Sequence, residues 1–229
     1  MRRNLYETAF ERYMRSLMRP YLSNRQERRF QLPDGKTLKN FDDVVQRYDG
    51  RNWIVDVKGR RFPSGRRSRR YWKNWTTRDD LAGLMRWENI LGAGGSLYYD
   101  RSAFVFAYHV VGSRTPLEPE RLFRYQNERY AFFVVPVKDY MMEARLVSPK
   151  WMTFEIPTRR FREIAVPADE FFTGAPYVAG RSAISFANLG LDAFTLPAVS
   201  SATPSVAPSA VPTLWTPVGS AAFGGSFVF

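Results

Sequence analysis

The sequence predicts a mixed α/β domain over residues 1–174, followed by a disordered tail over residues 175–229. Three observations carry this. Helical amphipathic patterns at residues 3–18 and about 79–91 are interleaved with short apolar runs of strand type, as expected of helices packed on a sheet. One of those runs, Trp53-Ile54-Val55-Asp56-Val57-Lys58-Gly59-Arg60, carries an acid and a lysine two residues apart. From about residue 175, Ala, Pro, Ser, Val and Gly dominate, charge all but vanishes and no period survives.

The totals bound the function. With 229 residues, 45% of them hydrophobic and 16% aromatic, the chain can bury a sizeable core. It has no cysteine, which excludes a disulfide framework and a thiolate metal site and suits the reducing cytoplasm. Its single histidine, His109, excludes any site built on several imidazoles. No run of about 18 apolar residues is present, so no membrane-spanning helix is expected. The N-terminus opens with Arg2 and Arg3, turns amphipathic, and lacks the apolar core of a signal peptide.

The net charge of +12 is unevenly spread. Residues 1–90 hold 22 Lys/Arg against 11 Asp/Glu, residues 91–174 hold 11 against 10, and the rest holds one of each. The basic surplus therefore surrounds Asp56 and Lys58. A basic face around an acidic pocket suits a polyanion such as nucleic acid.

In the first helix Leu5, Ala9, Phe10, Tyr13, Met14 and Leu17 recur at three- and four-residue spacing. Asn4 fits the N-cap, Glu7 fits a capping box, and Pro20 stops the helix. Glu7 and Glu11 share a face, so either can lean over a neighbouring pocket. A short strand is expected at Tyr21–Leu22 or at Arg29–Leu32, with a turn at Pro33-Asp34-Gly35. Residues 38–45 read as one strand carrying Asp42 and Asp43. Adjacent side chains take opposite faces, so at most one of the two faces the pocket. Asp49-Gly50 makes a hairpin turn into the central strand and brings an acid from residues 42–43 beside Asp56.

On that central strand the period of two puts Asp56 and Lys58 on one face and Trp53, Val55 and Val57 on the other. Taken alone, an Asp-x-Lys triplet is far better explained by an ordinary edge strand with a same-face ion pair, because such triplets are common; the neighbouring acid and the arginines are what raise its interest. Residues 60–73 hold Arg60, Arg61, Arg66, Arg67, Arg69, Arg70 and Lys73, interleaved with Phe62, Tyr71 and Trp72. They read as a loop that contacts phosphates. A helix at about 79–91 ends at Gly92-Ala93-Gly94-Gly95. Residues 103–111 suit a buried central strand, where His109 satisfies a backbone group and is not catalytic. A strand at 130–137, a helix at 138–146, a strand at 151–156 and a helix or turn at 157–164 complete the domain.

The order helix with Glu, strand with Asp, hairpin, strand with Asp-x-Lys, helix, strand resembles the PD-(D/E)XK nuclease superfamily. The resemblance implies a restriction-endonuclease-like mixed sheet flanked by helices, holding Mg²⁺ (or Mn²⁺). Glu7, Asp42 and Asp56 would take the places of its metal-binding acids, with Lys58 as the lysine that orients or activates water. Phe41 stands where the superfamily name implies proline. More narrowly, Leu5-Tyr-Glu-Thr-Ala-Phe-Glu11, Asn40-Phe-Asp42 and Val55-Asp-Val-Lys-Gly-Arg60 resemble the HYExAFE family of uncharacterised bacterial proteins over residues 4–165, with Leu5 in place of the leading His. The expectation is a metal-dependent phosphodiesterase acting on DNA. The alternative is a nucleic-acid-binding protein that keeps the fold and does not cut.

Overall fold

The structure is a computed structural model and describes residues 4–24, 30–31, 35, 37–65, 71–92 and 101–175. In chain order the elements are α1 (Leu5–Ser16), β1 (Tyr21–Ser23), β2 (Phe30–Gln31), β3 (Thr37–Leu38), β4 (Asp43–Gln46), β5 (Asn52–Phe62), β6 (Thr76–Thr77), α2 (Arg78–Gly92) and β7 (Arg101–Val110). Then follow β8 (Phe123–Tyr125), β9 (Glu128–Pro136), α3 (Val137–Glu143), β10 (Arg145–Ser148), β11 (Thr153–Glu155), α4 (Thr158–Ile164), β12 (Val166–Pro167) and α5 (Ala168–Thr173).

The main sheet runs β1-β4-β5-β7-β9-β12, with β8 added on β9. Its central pair, β5 and β7, is parallel and in register from Trp53↔Arg101 to Phe62↔Val110. The other pairings are antiparallel, so the sheet is mixed. A three-stranded sheet, β10-β11-β6, forms separately, and β2 pairs with β3.

Alternation along the strands builds two cores. On one face Ile54, Phe104, Phe106 and Tyr108 pack with Leu84 and Trp87 of α2, Tyr140 of α3 and Phe161 of α4. On the other, Val55, Val57 and Val105 pack with Phe10, Tyr13 and Met14 of α1 and Phe172 of α5. Each buried ring contributes about 1.5–3 kcal/mol, so helices on both faces are what make so apolar a strand as β7 stable. The result is a mixed α/β fold with a sheet covered on both sides.

The N-terminal helix follows its pattern. Asn4 Oδ1 accepts from Tyr6 N at 3.3 Å, and the buried face is Glu7, Ala9, Phe10, Tyr13 and Met14. Strands occur at both alternatives, 21–23 and 30–31. Asp49-Gly50 makes its turn, with Gly50 at φ 80° and β4 antiparallel to β5.

Several elements differ from expectation. The strand expected over 38–45 is two, β3 and β4, parted at residues 39–42. The basic loop does not begin at Arg60: pairing with β7 carries β5 through Phe62. His109 Nε2 lies 2.5 Å from Glu128 Oε2 and its ring stacks on Tyr130, so its polar partner is a carboxylate and not a backbone group. Strands β6, β8, β10 and β12 and helix α5 were not expected; all are short. The Pro33-Asp34 turn, Ala93-Gly94-Gly95 and nearly all of the 175–229 tail lie outside the described residues. Among the described residues no helix is long and apolar enough to cross a membrane.

Candidate functional site

The site forms where β4 parts from β5. Their register ends at Asp43↔Val55, which leaves the β5 edge open beyond that point. Asp42 fills the first gap. Its N–H donates to Val55 O at 3.0 Å, and its carboxylate Oδ2 accepts from Val57 N at 2.6 Å. The break in the expected strand is therefore what frees the Asp42 side chain to reach β5, next to Asp56.

A cavity of about 430 Å³ opens here, lined by Glu7 of α1, residues 37–40, Asp42, and Asp56, Val57 and Lys58 of β5. The four residues expected to form a catalytic set thus come from three places in the sequence, α1, the segment before β4 and β5, to one pocket. Asp43 does not join them. It is fully buried on the α1 side, where the Ser23 hydroxyl lies 2.5 Å from its Oδ1 and 2.6 Å from Glu11 Oε1. Of the two paired choices, Asp42 and Glu7 line the pocket.

The close approach of α1 has a visible cause. A Cβ at Gly59 would overlap the Tyr6 ring, so glycine at this position lets the helix seat on β5. Tyr6 precedes Glu7 on α1, so the contact that seats the helix lies one residue from the Glu7 that lines the pocket.

The electrostatics are strained towards excess negative charge. Asp42, Asp56 and Glu7 are only 5%, 6% and 9% exposed. Burial pushes the Asp42 carboxyl well above the ordinary carboxylate range, and the Asp56 and Glu7 charges add to the push; the Val57 N–H opposes it. Lys58 Nζ is ion-paired with Asp56 and lies 3.0 Å from Asp80 Oδ1. Burial works against its charge, yet Asp56 and Asp80 outweigh burial and hold the ammonium above its usual value.

Asp80, at the start of α2, was not foreseen. Its Oδ2 accepts from Thr77 N at 2.9 Å, while Thr77 Oγ1 accepts from Asp80 N at 3.2 Å. This is a reciprocal capping box with Asp in the glutamate position. Oδ1 is left to face Lys58 and Lys39. Burial would raise the Asp80 carboxyl, but Lys58, Lys39 and Thr77 hold it far below its usual value. The Thr77-x-x-Asp80 pattern announces the cap; nothing in the sequence announces the two lysines.

The expected phosphate contacts divide. Arg60 follows Asp56 and Lys58 on the α2 face of β5, half-buried, with its guanidinium over the Trp75 ring at 4.1 Å. Arg61 points to the opposite face and is exposed, and Lys73 is half-buried. Arg66, Arg67, Arg69 and Arg70 lie outside the described residues.

The donors suit a hard divalent cation. They are carboxylate oxygens from three elements, in a pocket with room for an ion and its waters, and the buried Asp42–Asp56 repulsion is what such an ion would relieve. Among the described residues no three or more His, Cys, Asp or Glu side chains already stand together at ligating spacing. Asp56 is instead turned to Lys58.

Compared with protein-family models, curated proteins and solved structures, the chain matches none. Fold and site together define a mixed α/β protein with a buried carboxylate–lysine pocket at a strand divergence.

Proposed function

We propose that this protein is a metal-dependent phosphodiesterase, a nuclease of PD-(D/E)XK type that acts on DNA in the cytoplasm. The observation that carries this reading is the convergence of Glu7, Asp42, Asp56 and Lys58 on one pocket. A resident Mg²⁺ or Mn²⁺, held by Glu7, Asp42 and Asp56, would activate water and neutralise charge on phosphorus. Asp42 is kept in place by the Val57 N–H. Lys58 is held between Asp56 and Asp80 with its ammonium fully charged, ready to donate to a phosphate oxygen or to orient water. The basic surplus of residues 1–90 supplies the long-range attraction for a polyanion.

Two observations favour a second reading, a nucleic-acid-binding protein that does not cut. Lys58 and Asp56 already satisfy each other, and Leu5 replaces the histidine of the family motif.

Cleavage of supercoiled plasmid and of single-stranded DNA with Mg²⁺ or Mn²⁺ decides between them, with Lys58→Ala and Asp56→Asn run beside the wild type. Metal-dependent cutting lost in both variants supports the nuclease. Cutting that persists in both refutes this site. Salt-sensitive DNA binding without cutting selects the second reading.

A further inference from the structure

Two residues beyond Lys58 on the same face of β5, Arg60 runs into a setting that the pocket does not explain. Its guanidinium donates to Gly59 O at 2.8 Å and to Trp75 O, and covers the Trp75 ring at 4.1 Å. Its Nε is buried without a hydrogen-bond partner, and among the described residues it makes no ion pair. A cation in such a place costs solvation unless an anion comes to it. Burial pushes its guanidinium down from the usual value, and Tyr108, Tyr140, Asp80 and Asp56 only partly oppose that.

Trp75 is 40% exposed, although it immediately precedes β6 and is tethered through its carbonyl. Among the described residues no other aromatic ring packs on it. Lys73 and Arg78 flank it in sequence, and the Glu155 carboxylate lies near both Lys73 and Arg60. An exposed indole paired with a guanidinium is an arrangement that can stack a nucleobase while the cation meets its phosphate.

We propose that Arg60 and Trp75 form a nucleotide subsite beside the carboxylate–lysine pocket, in which Trp75 stacks an unpaired base and Arg60 meets the adjoining phosphate, so that the substrate is single-stranded DNA. This rests on the nucleic-acid reading above and narrows it. Along β5 the step from Lys58 to Arg60 is about 7 Å, a stride suited to neighbouring phosphates of an extended strand. In duplex DNA the bases are already stacked on each other and leave Trp75 no partner.

The test is a fluorescence-anisotropy titration of the full chain in EDTA, which prevents cutting. The probes are a labelled short oligothymidylate and a duplex of equal length. Trp75→Ala should weaken single-strand binding about 5- to 150-fold, the range of one base–aromatic stack, and leave duplex binding within about twofold. Trp75→Phe should retain most of the affinity, which separates stacking from misfolding. Equal losses for both probes, or no loss, would overturn the subsite. A wild type that cuts DNA while Trp75→Ala binds normally would remove this inference alone. A wild type that binds neither probe would remove the nucleic-acid reading with it.

Discussion

Asp80 Oδ1 lies 3.0 Å from Lys58 Nζ, an ion pair that fastens the first turn of α2 to the middle of β5. Both side chains are largely buried, at 4% and 13% exposure. The same carboxylate caps its own helix through Thr77. One residue therefore aims the lysine, neutralises part of its charge and starts the helix that covers the sheet.

Breaking this arrangement should be costly. Asp80→Ala leaves Lys58 with Asp56 alone and removes the side-chain half of the capping box, an expected loss of about 3–5 kcal/mol in urea unfolding at neutral pH. The pH dependence has a definite sign. The Asp80 carboxyl is held below its ordinary value, so its stabilisation is complete above the unfolded pKa of about 3.9 and is lost as pH falls below that. Lys58 is held above its ordinary value, so its share is complete below about pH 10 and is lost at higher pH. Asp80→Asn should flatten the acid limb of a stability–pH curve; an unchanged limb would contradict the pairing.

Asp42 has the opposite sign. Its carboxyl is raised by burial first, then by Asp56 and Glu7, so it costs stability once pH exceeds its unfolded value of about 3.9. Asp42→Asn keeps an oxygen for Val57 N–H and drops the charge. Without divalent ions the variant should be more stable than wild type at neutral pH, by about 0.5–2 kcal/mol. The gain should vanish near about pH 3.5, and Mg²⁺ should close it by stabilising the wild type alone. Urea denaturation at the two pH values, with and without Mg²⁺, checks both parts.

Gly59→Ala should cost about 1–3 kcal/mol, because its Cβ overlaps the Tyr6 ring and α1 must shift. Tyr6→Ala in the same chain should restore part of that loss. A double-mutant cycle on thermal unfolding measures the coupling; additive losses would mean that the two residues do not press on each other.

Asn74 ties the small sheet to the core. Its side chain accepts from Ile156 N at 2.8 Å and donates to Ile156 O at 2.9 Å, deep in the interior. Asn74→Ala leaves both groups unpaired and should cost about 2–4 kcal/mol. Guanidinium denaturation reads this directly, and a loss under about 0.5 kcal/mol would be that of an ordinary surface position.

Much of the fold was legible because periodicity and turn chemistry are local. The α1 stripe, the Asp49-Gly50 turn and the apolar run of β7 each state their structure within a dozen residues. The short strands β6, β8, β10 and β12 were not legible, since two to four residues have no period to read. The chain break at 39–42 was missed for a related reason. Leu38 to Val45 looks continuous in apolar pattern, and only the pull of Val57 N–H on the Asp42 carboxylate shows why it parts.

By itself, the sequence determined the faces of β5, because a period of two puts Asp56 and Lys58 together wherever the strand lies. It also determined α1 and the basic surplus, because side-chain type and spacing suffice for both. Tertiary structure decided which of Asp42 and Asp43 enters the pocket, that Asp80 and Lys39 join Lys58, and that Arg60 rests on Trp75. Those outcomes depend on the points where distant segments meet, and on how buried charges and open backbone groups there find partners. No local pattern carries that information.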